Sequence, residues 1–130
     1  MFSGEKGFEK MIRKPGEDVS AFLARMEGVE VLLDSDPTNP YESIYIYVRI
    51  RDGILNIIRS ECEHAPDGGW SHKFVVFDAE NTLKLLQILA DDRYDLPYAL
   101  KKYLNVQDGT LKFEKFCEER GIPYKIGYGF

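Results

Sequence analysis

A chain of 130 residues, 44% of them apolar and 13% aromatic, carries 17 basic and 22 acidic side chains for a formal charge of −5. That length fits one domain, residues 1–130, able to bury roughly two-thirds of its unfolded surface, so neither a metal nor a disulfide is required for folding. The composition excludes a disordered chain, the acidity opposes general binding to a phosphate backbone, and no apolar stretch approaches the roughly 18 residues of a membrane span.

Residues 1–17 are rich in glycine and charge and read as irregular, with Phe2, Phe8, Met11 and Ile12 apolar enough to dock on the body. Asp18 or Ser20 can cap a short helix to about Met26, whose Val19, Phe22, Leu23 and Met26 recur at helical spacing. Gly28 suits a left-handed position after it. Val29 to Leu33 reads as a strand, and "DSDPTNP" at 34–40 as a loop.

The clearest local signal is "SIYIYVRIRDGILNIIRS". Ile44, Ile46, Val48 and Ile50 alternate with Tyr45, Tyr47, Arg49 and Arg51, the period-two pattern of a strand. Asp52-Gly53 then accepts the positive φ angles of a type I′ hairpin turn. A two-residue loop places Arg51 opposite Ile54, Val48 opposite Ile57 and Tyr47 opposite Ile58. One face of this hairpin at 43–60 carries Ile46, Val48, Ile50, Leu55 and Ile57. The other carries Tyr45, Tyr47, Arg49, Ile54 and Ile58, a mixed set that predicts partial cover or a contact surface.

"HKFVVF", 72–77, is a further strand, and Asp78 can cap the helix that presents Leu83, Leu85, Leu86, Ile88 and Leu89. Asp95 and Pro97 suit the start of a second helix. Leu111 to about Glu119 forms a third, with Leu111, Phe113, Phe116 and Cys117 as its buried candidates. Gly121-Ile122-Pro123 is its stop signal, and "YKIGYGF" is a final strand. The order predicts an α+β fold: a mainly antiparallel sheet with the C-terminal helices packed on one face.

The stretch "SECEHAPDGGWSHK", 60–73, concentrates Cys62, both histidines and the only tryptophan. Cys62, His64 and His72 with Glu61 or Glu63 are zinc-ligand types, but their spacing matches no standard zinc pattern. His64, His72 and Lys73 are the residue types of a metal-independent ribonuclease, one imidazole as base, the other as acid, and the ammonium on the charged phosphorane. Glu61, Glu63 and Asp67 would repel that substrate. Pro66, Asp67, Gly68 and Gly69 instead read as a turn, with Trp70 folded over it or covering a core edge and Cys62 as a small apolar filler. The pattern calls for no catalytic residue, metal or cofactor.

Cys62 and Cys117 form no CxxC pair, and the start of the chain has no apolar run of signal-peptide length. Together these predict reduced thiols in the cytoplasm, with a secreted protein holding one disulfide as the alternative. Tyr45, Tyr47, Arg49 and Arg51 are residue types of protein hot spots and equally of a stacking platform for single-stranded nucleic acid. The acidic positions near loops, Asp34, Asp36, Glu61, Glu63, Asp91, Asp92 and Asp95, could mimic a phosphate track or pair with Lys and Arg on a basic protein partner, with a solvated inter-helix loop as the plainer reading of Asp91, Asp92 and Asp95.

The segments "FDAENTLKLLQIL", "ALKKYL" and "FEKFCEERGIPYKIGYGF" resemble the C-terminal half of some immunity proteins of contact-dependent growth-inhibition and other polymorphic-toxin systems. The resemblance implies tight, neutralising binding to a toxin domain made by the same cell, with no catalysis. Read without it, the residues leave open a small hydrolase built on His64 and His72, or an accessory ligand-binding domain.

Overall fold

Two residues with left-handed backbone, Asp52 (φ 56°) and Gly53 (φ 74°), make the turn expected between the two longest strands. They join β2 (Glu42–Arg51) to β3 (Ile54–Glu63). Arg51 lies opposite Ile54, Val48 opposite Ile57 and Tyr47 opposite Ile58, as a two-residue loop demands. The structure is a computed structural model that describes residues 14, 16–36, 42–63, 68–92 and 96–129. With β1 (Glu30–Asp36), β4 (Trp70–Phe77) and β5 (Lys125–Gly129), the hairpin forms a five-stranded sheet in the order β1-β2-β3-β4-β5. Every neighbouring pair is antiparallel. Helix α1 (Val19–Arg25) precedes the sheet; α2 (Ala79–Asp92), α3 (Leu96–Lys101) and α4 (Leu111–Glu119) lie between β4 and β5. The fold is α+β.

Short side chains at the helix ends satisfy backbone groups that the helices leave unpaired. The Ala21 N–H donates to the Asp18 carboxylate at 2.7 Å, so Asp18, not Ser20, caps α1. Arg25 grips Glu17 just ahead of this cap, with both guanidinium contacts at 2.9–3.0 Å. That bond, reinforced by the Lys14 N–H, holds the Glu17 carboxyl down at about 2. Asp78 caps α2 through the Asn81 N–H. Helix α4 ends in a Schellman motif: Ile122 N–H donates to Cys117 C=O, Gly121 N–H donates to Glu118 C=O, and Gly121 has φ 66°. Ile122 is itself buried, so the stop signal also anchors the chain.

The core lies between the helices and one face of the sheet. Val31, Ile46, Val48, Ile50, Leu55, Ile57, Val75 and Phe77 meet Phe22 and Met26 of α1, and Leu85, Leu86 and Leu89 of α2. Leu100 of α3 and Phe113, Phe116 and Cys117 of α4 join the same cluster. Leu83 and Ile88 flank the α2 stripe half-buried. Leu111 is not a core residue: it is 69% exposed. At about 100° per residue, positions 113, 116 and 117 share one side of α4 and position 111 points away from it.

Two expected loop features belong to strands. Asp34 and Asp36 are residues of β1, which runs three residues further than the apolar pattern suggests. A bulge between Leu32 and Asp34 shifts the register, and Asp34 then pairs with Ile46 and Asp36 with Ile44. Trp70, expected at the turn, opens β4 opposite Cys62, with its ring between those of Tyr45 and His72. The expected positions Phe2, Phe8, Met11, Ile12, His64, Pro66, Asp67 and Asp95 lie outside the described residues.

Candidate partner-binding face

Strand alternation sends Tyr45, Tyr47, Arg49 and Arg51 of β2 to the face of the sheet opposite the core. Their cross-strand partners Ser60, Ile58, Asn56 and Ile54 bring β3 to the same side, and Trp70, His72, Phe74 and Val76 follow on β4. No described helix contributes to this face: every helical residue of the core cluster packs with strand residues of the other. Alternation in the hairpin predicts Tyr45 and Tyr47 on this face, but not the longer aromatic row that continues from them. Tyr45 lies 5.8 Å from Trp70 between ring centroids, Trp70 lies 6.1 Å from His72, and His72 lies 6.1 Å from Phe74. The signal was present in "WSHKF", where three ring-bearing residues alternate.

Beside this row, β5 places Gly129 opposite His72 and Gly127 opposite Phe74. A Cβ on Gly129 would come within 3.3 Å of the Phe74 ring, so the glycines of "KIGYG" leave room for that ring to lie across the edge strand. Trp70, 46% exposed, is the most accessible ring of the row. Arg49, Arg51, Lys125 and Glu30 supply its charge among the described residues, with Glu30 directly opposite Arg49. The face is therefore aromatic with a cationic border, although the whole chain is acidic.

The acidic candidates fall elsewhere. Asp34 turns toward the helix side, where one carboxylate oxygen accepts the Val106 N–H at 2.9 Å and the other the Ser35 N–H at 3.0 Å. Its role in the structure is to tie the 105–109 loop to β1. Asp36 and Glu61 share that helix-side face, and Glu61 pairs with Arg59 at 2.9 Å. Glu63 closes β3, and Asp91 and Asp92 end α2. The structure thus separates Tyr45 and Tyr47 from Asp34, Asp36 and Glu61 by the thickness of the sheet.

The ribonuclease set is divided in the same way. His72 Nδ1 and Ser60 Oγ lie 2.7 Å apart on the open face, and Ser60 is nearly closed off from solvent. Lys73, the next residue, points through the sheet to Glu114 Oε2 at 2.7 Å, an oxygen that also accepts the Thr110 hydroxyl at 2.7 Å. A substrate phosphate on His72 is out of reach of Lys73. Among the described residues no group of three or more His, Cys, Asp or Glu side chains is placed to hold a metal ion. A pocket of about 290 Å³ is lined by Arg59, Lys73 and the 106–111 segment, but both its cations are already held by Glu61 and Glu114. No described helix is long and apolar enough to cross a membrane.

The two thiols also sit on opposite sides of the sheet. Cys62 is half-buried on the open face and Cys117 is buried in the core, and both are free. Burial pushes the Cys117 thiol up to about 12, with Arg120 opposing the shift only in part. In native protein an excess of a thiol-reactive dye is expected to label one thiol, with the second appearing on unfolding. Cys62→Ser should abolish the native reaction; rapid labelling of two thiols in the folded protein would contradict this placement.

No family model matches the chain, and neither the curated proteins nor the solved structures contain a significant match to it.

Proposed function

We propose that this chain is a non-catalytic binding protein, an immunity protein that neutralises a cognate bacterial toxin in the cytoplasm of the cell that makes both. The observation that carries the reading is the aromatic row Tyr45–Trp70–His72–Phe74 on a sheet face to which no described helix contributes. Tryptophan, tyrosine and arginine are the residue types that dominate protein interfaces, and Arg49 and Arg51 border this row. The net charge of −5 favours encounter with a basic partner such as a nuclease domain, while the face itself supplies the contact. Neither nucleic acid nor membrane has a part in this reading, and it needs no cofactor. Its competitor, a ribonuclease using His64, His72 and Lys73, is weakened by the position of Lys73 behind the sheet.

The experiment is co-expression with the product of the adjacent gene, followed by measurement of the complex. Tight binding is expected, and Trp70→Ala should weaken it by roughly 30-fold or more, as truncation of an aromatic anchor does. Absence of any complex, or affinity unchanged by both Trp70→Ala and Tyr45→Ala, would remove this face as the partner site.

A further inference from the structure

The two rims of the sheet are not equally protected. At one rim, β1 carries a bulge between Leu32 and Asp34 and the carboxylates of Glu30, Asp34 and Asp36, devices that turn away a foreign strand. At the other, β5 pairs with β4 in unbroken register from His72–Gly129 to Val76–Lys125, and no described strand lies beyond it. Its outward N–H and C=O groups form a short template for one more strand. Apolar exposure concentrates at the same rim. Ile126 and Tyr128 of β5 are 37% and 71% exposed, and they lie on the helix side of the sheet with their neighbours Val75 and Lys73. The exposed Leu111 lines a pocket together with Lys73 and so borders this rim as well.

We propose that β5 is the interface of a symmetric dimer, in which two copies of this chain pair their β5 strands antiparallel about Gly127. A second copy fits because "KIGYG" is its own complement. With Gly127 on the two-fold axis, Ile126 of each copy lies opposite the partner's Tyr128, so one aromatic–aliphatic pair forms on each side of the axis. Opposite residues of antiparallel strands share a face, so both pairs form on the helix side, where these side chains are exposed. Lys125 falls opposite Gly129, and no like charges meet. Pairing two β1 rims would instead bring their carboxylates together across a bulge. The axis stands perpendicular to the sheet, so the helices of both copies stay on one side and both aromatic rows face the other. Five residues per copy make a contact at the small end of specific interfaces, under about 1,200 Å², so the dimer separates on dilution. The pairing uses the rim and not the Tyr45–Trp70–His72–Phe74 row, and it therefore stands whatever that row binds.

The test is sedimentation velocity on the full chain, under reducing conditions and over a wide range of concentrations. The monomer mass at low concentration and twice that mass at high concentration are expected. Ile126→Lys/Tyr128→Lys sets lysine opposite lysine in both cross-strand pairs and should stay monomeric throughout, with circular dichroism showing it folded. Ile126→Glu/Tyr128→Glu should also be monomeric alone, and an equal mixture of the two variants should recover the dimer. Should the variants not fold, an isotope-filtered NOESY on an equal mixture of labelled and unlabelled wild type decides, with contacts expected from the Ile126 methyls to the Tyr128 ring of the other copy. A chain that is monomeric at every concentration overturns the proposal. So does a dimer that the folded lysine variant leaves intact, or one without the Ile126–Tyr128 contact between copies. A monomer whose complex with the adjacent gene product is lost in the lysine variant would give this rim to that partner and overturn the dimer too.

Discussion

Phe77→Ala is expected to lower the unfolding free energy by about 3–5 kcal/mol, the largest effect of any single truncation considered for this protein. Phe77 is fully buried at the end of β4, opposite Leu55. Its ring meets Phe113 of α4 edge-on at 5.9 Å and Tyr124 at 6.0 Å, so one side chain joins the sheet to α4 and to the chain leading into β5. Truncation removes these contacts together and leaves a cavity between two rigid elements that cannot close over it. A domain of ordinary stability holds only about 5–15 kcal/mol, so the melting temperature should fall by something like 15 °C. Urea unfolding is the check: the midpoint should drop with little change in slope. A loss under about 1 kcal/mol would mean that Phe77 does not bridge these elements. Trp70→Ala, on the opposite face, is the contrasting variant.

The second large effect is expected for Thr82→Val, a substitution that preserves shape and removes one hydroxyl. Thr82, in the first turn of α2, is completely buried. Its oxygen accepts the Leu55 N–H at 3.0 Å and donates to the Phe77 carbonyl at 3.1 Å. Leu55 and Phe77 are opposite residues at the end of the β3–β4 ladder, so the hydroxyl bridges two backbone groups there. Valine leaves both without a partner in a dry site, and each unsatisfied group costs about 1–3 kcal/mol. A loss of about 2–4 kcal/mol is expected in chemical denaturation, with Thr82→Ser retaining more stability than Thr82→Val despite its smaller volume. The reverse order would show that the methyl group, not the hydroxyl, holds this junction.

Much of this framework was legible because it is written in short-range chemistry. Asp52-Gly53 names a turn type, and a two-residue turn leaves the hairpin only one register, from which every facing pair on β2 and β3 follows. Asp18, Asp78 and Gly121-Ile122 mark helix ends by the same local logic. The bulge at Leu33–Asp34 has no such mark: one residue is added to a strand, and no propensity distinguishes it from the start of a loop. Its effect was large, since it turned Asp34 from a candidate partner contact into the anchor of the 105–109 loop. Likewise nothing around Thr82 announces that a polar residue in a leucine-rich helix completes a distant ladder. The candidate face was half visible. Tyr45 and Tyr47 follow from alternation in the hairpin, but the meeting of Tyr45 with Trp70 needs the register of β4, which lies beyond a glycine-rich connection. What such a face binds depends on the shape of another molecule, and local patterning carries no record of that.

Because the strands stand side by side in the order in which they occur along the chain, assembly can keep pace with synthesis. The first four strands can zip by successive hairpin-like pairings while α4 is still being made. Only β5 must wait for three intervening helices before it docks. Until then β4 presents an unpaired rim from His72 to Val76, and for that interval the nascent molecule is at its most adhesive.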